Sequence, residues 1–138
     1  NEYRILGRVF EYTCCIYACA PFVTKTRLKE GYDLLINNNF DSVFPIQQFS
    51  FPIQRALQLN KENKVKFLNS EHSLSRSQDL AFSYHDAGQF YWMKTKQCLK
   101  SKSLLTENSG GLEISELEGQ DIDTDLDWKL AELKYELI

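Results

Sequence analysis

The residues best placed to do chemistry lie in the stretch 119–128, GQDIDTDLDW, where Asp121, Asp123, Asp125 and Asp127 alternate with other residues. Like charges that close are unfavourable unless a cation sits among them or each reaches water. Two of the four have a plain explanation. Thr124 with Asp127 three residues on reads as a capping box, and Asp125 falls in the first helical turn, where negative charge is favoured. Asp121 and Asp123 remain. Two apart at the end of an extended segment, they place both carboxylates on one face. That pair suits a hard cation such as Mg²⁺, which takes one or two protein carboxylates and completes its shell with water and substrate phosphates. Ligand sites of open α/β sheets also lie at the carboxyl ends of strands. Two other readings stand beside this one. The group can be a solvated acidic cap. It also matches an EF-hand loop through Asp121, Asp123, Asp125, Asp127 and Glu132, but the glycine that such a loop needs at its sharp turn is replaced by Leu126.

Other reactive types are sparse. Cys14, Cys15, Cys19 and Cys98 are the four cysteines. Their spacing fits neither a CxxC pair nor a metal knuckle, so they read as small buried thiols of a reducing compartment. His85-Asp86 is a single His–Asp pair, short of the three protein ligands that a catalytic zinc takes. His85 reads equally well as a structural histidine or as a substrate contact.

The elements that must position these groups follow from pattern. Tyr12 to Cys19 is uncharged and rich in β-branched and aromatic residues, which reads as a buried strand ended by Pro21. Thr24 is an N-cap for a helix carrying Leu28, Tyr32 and Leu35, closed at Asn37-Asn38-Asn39. Strand, loop and helix in that order are the unit of an α/β fold with a mostly parallel sheet. A second strand is expected within 41–51, limited by Pro45 and Pro52. Residues 54–60 and 65–68 read as a hairpin-like excursion whose apolar side chains have no evident partner in the chain, and 71–79 as polar loop. Gly88 to Met93 reads as a buried central strand, Thr95 to Lys102 as a short helix, and Leu112 to Leu117 as a strand. The last helix carries an apolar stripe of Leu126, Leu130, Leu133 and Leu137. Residues 1–10 look amphipathic.

Composition narrows the classes. The chain has 138 residues, 43% hydrophobic and 13% aromatic, enough for one globular domain with a single core. A net charge of −3 gives no basic footprint for nucleic acid, and no apolar run approaches the ~20 residues of a membrane span. The polar opening Asn1-Glu2-Tyr3-Arg4 has no signal-peptide character. We therefore expect neither nucleic acid nor membrane among the partners.

Several segments, taken in order, resemble the acylneuraminate cytidylyltransferases, the CMP-sialic acid synthetase family. Asp121-Ile122-Asp123-Thr124 with Asp127-Trp128 and Ala131-Glu132 resembles its C-terminal signature. Ile16 to Phe22 sits where the family has a strand and tight turn. Phe51-Pro52-Ile53-Gln54-Arg55-Ala56-Leu57, Ser75-Arg76-Ser77-Gln78-Asp79-Leu80 and Tyr84-His85-Asp86-Ala87-Gly88-Gln89-Phe90-Tyr91-Trp92 look like the pseudaminic acid branch. The resemblance runs from about residue 12 to the end. It implies a three-layer α/β/α fold with a mostly parallel, Rossmann-like sheet of the nucleotide-diphospho-sugar transferase type. It also implies a Mg²⁺-dependent nucleotidyltransferase that joins CTP and pseudaminic acid into CMP-pseudaminic acid with release of pyrophosphate. By resemblance Asp121 and Asp123 hold the metal, and Arg76 grips an anion beside them. Tyr17, Gln54, Arg55, Gln78, His85, Asp86 and Gly88 are expected to contact substrate. Residues of about 46–82 would form an arm reaching into the partner of a homodimer, in a bacterial cytoplasmic enzyme feeding surface or flagellin glycosylation.

The chain also departs from the sialic acid branch. His85 stands where that branch has arginine, Ala87 where it has asparagine, Gln54 where it has lysine, and Tyr17 and Cys19 where it has Gln and Thr. These changes imply a different sugar pocket. The family's opening strand and its Gly/Arg/Lys-rich CTP loop have no counterpart here, so residues 1–138 are expected to be the C-terminal part of a single cytidylyltransferase domain, inactive alone. The alternatives are a synthetase for CMP-N-acetylneuraminic or CMP-legionaminic acid, or a non-catalytic dimerising remnant.

Overall fold

The computed structural model describes residues 2–138, so the amphipathic reading of residues 1–10 lies outside it at Asn1. Two compact units form, one from the N-terminus to Gln47 together with Asp86–Ile138, the other Gln48–His85.

The first unit begins with a short helix α1 (Glu2–Ile5) and strand β1 (Tyr12–Ile16). Helix α2 (Lys25–Asn37) starts where Thr24 accepts a hydrogen bond from the Arg27 amide at 3.2 Å. It ends at the asparagines, with Asn39 at φ 55°, a left-handed position that this residue type tolerates. Strand β2 (Ser42–Gln48) follows. In the second unit, β3 (Leu57–Leu59) and β4 (Val65–Phe67) make the expected hairpin, and 3-10 turns cover Ile53–Arg55, Ser70–His72 and Ser77–Asp79. Strand β5 (Tyr84–Asp86) carries the chain back to the first unit. Strand β6 (Phe90–Lys94), helix α3 (Thr95–Ser101), strand β7 (Ser109–Glu113) and helix α4 (Asp125–Tyr135) complete it.

The sheet corrects the expected architecture. β6 runs antiparallel to both β1 and β2, while β2 and β7 pair in parallel. A mostly parallel, Rossmann-like, three-layer α/β/α sheet is therefore not what forms. Because β6 opposes both neighbours, β1 and β2 share a direction, as a strand–helix–strand unit requires. They are not adjacent, however: the apolar FYWMK strand sits between them. Apolar runs report that a strand is buried but not which way its neighbours run, and that direction is set by pairing across tens of residues.

The core lies on β6 and β2. Phe90, Leu35 and Val43 are fully buried, and each contributes about 2 kcal/mol of hydrophobic stabilisation. α2 docks on β6 through Trp92, whose indole Nε1 donates to the Leu28 carbonyl at 2.9 Å, and through Tyr32, which packs against Trp92 and Tyr12.

Two other expectations are corrected. β1 is the outer strand of the described sheet, not a buried one, so Cys15 is exposed and Cys14 half-buried, and Cys19, past the end of the strand, is exposed too. Burial, and then the neighbouring Cys15, push the Cys14 thiol up to about 11. The leucine stripe of α4 covers no core: Leu126, Leu130, Leu133 and Leu137 are exposed, and Ala131 is the helix's buried residue. No helix among the described residues is long and apolar enough to cross a membrane.

Candidate functional site

The four aspartates separate as their spacing implies. Thr124 caps α4 by accepting the Asp127 amide at 3.3 Å, and the Asp127 carboxylate accepts in return from the Thr124 amide at 2.8 Å and its hydroxyl at 2.7 Å. Those bonds, with the Thr124 hydroxyl the largest influence, hold the Asp127 carboxyl below its usual range. The same carboxylate accepts the Asp123 amide at 3.2 Å. Asp125 occupies the first turn. Because the helix starts at Asp125, the twelve-residue loop of an EF-hand does not form.

Asp121 and Asp123 are exposed, and neither carboxylate takes a hydrogen bond or ion pair among the described residues. Asp121 lies against the turn that opens β6. A Cβ built at Gly88 would sit 3.7 Å from an Asp121 carboxylate oxygen. Gly88 adopts φ +63°, which a side chain would strain by about 1 kcal/mol. The turn is closed by Asp86, which accepts the Gly88 amide at 2.9 Å with one oxygen and the Tyr91 hydroxyl at 2.8 Å with the other. The Tyr91 ring packs on Tyr17 at 5.1 Å, and the Tyr17 amide donates to the Gln89 carbonyl. Burial first, then the bonds to Asp86 and Tyr17, raise the Tyr91 phenol well above its ordinary range. Thus Tyr17, Asp86, Gly88 and Asp121 surround one turn of the first unit, with Asp123 two residues on. Tyr91 reads as core from its sequence context, yet its hydroxyl is what joins this group.

The remaining candidates lie in the second unit. The Arg76 guanidinium is held by Asp79 through bonds of 2.7 and 3.1 Å, and its side chain is 71% exposed. Gln78 is exposed in the same 3-10 turn. Gln54 donates to the Ala81 carbonyl and the Ser83 hydroxyl, and Arg55 donates to Ser77 at 3.4 Å. Gln54 Oε1 and Arg55 Nε are buried with no partner among the described residues. The His85 ring packs on Phe49 at 4.9 Å.

The donor set bears on a metal. No cluster of three or more His, Cys, Asp or Glu among the described residues is arranged to hold an ion. Two unpaired, solvent-facing carboxylates two positions apart fit a Mg²⁺ that keeps most of its shell as water and phosphate oxygen, not a metal needing a full protein cage. Beside them a groove of about 710 Å³ opens along α4, lined by Pro21, Phe22, Ile122, Trp128 and Ala131 among others. Its lining is mostly apolar, and its charged members, Lys129, Glu132 and Glu136, carry a net negative charge that offers little to a triphosphate.

The chain matches no protein-family model. It is 36% identical over 131 residues to two proteins named pseudaminic acid cytidylyltransferase, from Campylobacter jejuni subsp. jejuni serotypes O:23/36 and O:2; each alignment takes 95% of this chain and 56% of the relative. It is 37% identical over 113 residues, 81% of this chain and 22% of the relative, to a Helicobacter pylori protein named pseudaminic acid cytidylyltransferase and UDP-2,4-diacetamido-2,4,6-trideoxy-beta-L-altropyranose hydrolase. Over nearly all of its length this chain is therefore similar to proteins named pseudaminic acid cytidylyltransferase, as its ordered segments imply, and it spans about half the length of the Campylobacter relatives it matches.

Proposed function

We propose that this chain is the C-terminal portion of a cytidylyltransferase that couples CTP to pseudaminic acid and releases pyrophosphate. The observation that carries the reading is the convergence of Asp121, Gly88, Asp86 and Tyr17 on one turn, in a chain whose relatives bear that activity in their names. Asp121 and Asp123 hold Mg²⁺. Bound there, the ion would supply neutralisation of the charge that builds on the phosphates. Asp86 closes the Gly88 turn, and because Gly88 has no side chain nothing there crowds the Asp121 carboxylate. Tyr17, on the rim of the same turn, meets the sugar acid. In the second unit Arg76 supplies a planar, two-pronged anion contact, for which it must exchange Asp79 for the ligand. Gln54, Arg55, Gln78 and His85 are that unit's further candidates for contact with substrate. The exposed apolar side chains of that unit, among them Phe51, Leu59 and Phe82, pack on a second copy of the chain. The enzyme acts in the cytoplasm on a precursor for surface glycosylation.

The test is pyrophosphate release from CTP and Mg²⁺ by the protein in its full native length. Pseudaminic, legionaminic and N-acetylneuraminic acids are compared. Release with pseudaminic acid in clear preference is expected. Preference for another of the three reassigns the sugar, and silence with all three leaves a non-catalytic dimerising role.

A further inference from the structure

We infer that Glu118 and Arg27 are positioning residues for the Asp121–Asp123 carboxylates; the inference rests on the metal-binding reading above. Residues 115–119 enter the aspartate segment as a 3-10 turn at Glu116–Glu118, and four elements hold it. From α2, Arg27 grips the Glu118 carboxylate with two parallel bonds, Nε at 2.7 Å and Nη2 at 2.8 Å. The Arg27 fork is itself oriented by Glu30 on its remaining nitrogen at 2.7 Å. From β2, Gln47 donates to the Ser115 carbonyl at 2.8 Å. Gln89, buried in the turn just ahead of β6, donates to the Glu118 carbonyl. From α4, Lys134 donates to the Gly119 carbonyl at 2.7 Å. Glu118 also accepts the Ser115 amide at 3.0 Å, closing the turn on itself.

The segment has no slack at this point. Gly119 is buried, and a Cβ there would come within 2.6 Å of the Gln47 side chain. Two residues later Asp121 faces Gly88, and after Asp123 the Thr124 cap and the Asp127 bond to the Asp123 amide fix the far end. The carboxylate pair is thus suspended between two anchors. The Arg27–Glu118 fork is the anchor's only charged contact to the Glu118 side chain among the described residues. Partners bonded directly to metal ligands typically cost 10–100-fold in metal affinity when lost; Glu118 and Arg27 bond neither carboxylate and act through the backbone that leads to Asp121, so a loss at the lower end of that range is expected.

Mn²⁺ is the probe, titrated against the full-length protein by water-proton relaxation, with amide hydrogen exchange of residues 119–124 followed in parallel. Glu118→Gln is expected to weaken Mn²⁺ binding about tenfold and to speed exchange in that segment. Arg27→Lys, which keeps the charge but not the fork, is expected to fall between wild type and Glu118→Gln. Lys29→Ala, which breaks an exposed pair with Asp33 on the same helix, should leave Mn²⁺ affinity unchanged. Mn²⁺ affinity within about twofold of wild type in both Glu118→Gln and Arg27→Lys overturns the inference while leaving the metal reading intact; the threshold lies well below the loss expected for a true outer contact. Should Glu118→Gln not fold, Arg27→Lys alone decides on the same criterion. Failure of the wild type itself to bind Mn²⁺ overturns both readings, and is recognisable because it precedes any substitution.

Discussion

Arg27 and Arg76 each hold a carboxylate at 2.7 Å, yet they do different work in the two units. Arg27 reaches Glu118 across 91 positions of sequence, and both side chains are less than one-third exposed. Arg76 reaches only to Asp79, three positions on, and is 71% exposed. A partly buried, two-pronged pair between distant elements is a tether whose loss strands a charge. An exposed pair between neighbours contributes at most about 1 kcal/mol and is readily exchanged for a ligand. The first unit holds the segment leading to Asp121 by a contact made at long range. The second presents Arg76 beside a short turn closed by a near neighbour.

The largest expected effect concerns what the tether is for. Asp121→Ala or Asp123→Ala, in the full-length protein, should lower pyrophosphate release by about a hundredfold or more, the range for lost electrostatic stabilisation of developing charge. The melting temperature should hardly move, because neither carboxylate has a partner to lose. Retained turnover with a lowered melting temperature would make these aspartates structural and erase the distinction from Asp127.

Next is the contrast between the arginines themselves. Arg27→Ala should destabilise the fold by about 2–3 kcal/mol in urea unfolding, because Glu118 is left partly buried and unpaired. Arg76→Ala should change stability by under about 1 kcal/mol and act instead on the KM for the sugar acid. Equal losses of stability from the two substitutions would remove the difference between the units.

A finer test uses acid. Arg27, and then the Ser115 amide, hold the Glu118 carboxyl down at about 2, against an ordinary value of 4.5. A carboxyl lowered by folding stabilises the protein above its unfolded pKa, and that stability is lost as pH falls from about 4.5 toward about 2. Allowing for solvent screening of a side chain that is 27% exposed, the loss is about 1–2 kcal/mol. Glu118→Gln should flatten that part of the stability profile. An unchanged acid limb would show that the fork stores no charge-dependent stability.

Most of the local structure was legible because its causes are local. Thr24 and Thr124 cap their helices through their own side chains, the asparagines close α2, and the 54–68 excursion turns back as a hairpin. The division of the four aspartates was legible for the same reason, since a capping box is a matter of three-residue spacing. The burial of β1 and of the α4 stripe was not, because an apolar run states a need for cover without saying what meets it. Tyr91, Glu118 and Arg27 escaped notice in the site because nothing near them in sequence marks them. A pairing of residues 27 and 118, or of 86 and 91 across a turn, is made only when the chain folds back.

By itself, then, the sequence determined the helices with their caps, the hairpin, the two aspartates left without local work and the resemblance to cytidylyltransferases, all of them properties of residue type and short spacing. Only the tertiary structure decided the direction of the strands, through the insertion of β6 between β1 and β2. It alone brought Asp121 against Gly88 and anchored that segment through Glu118 and Arg27. Strand direction and long-range ion pairs depend on which distant surfaces meet, and no pattern within a few residues encodes that choice.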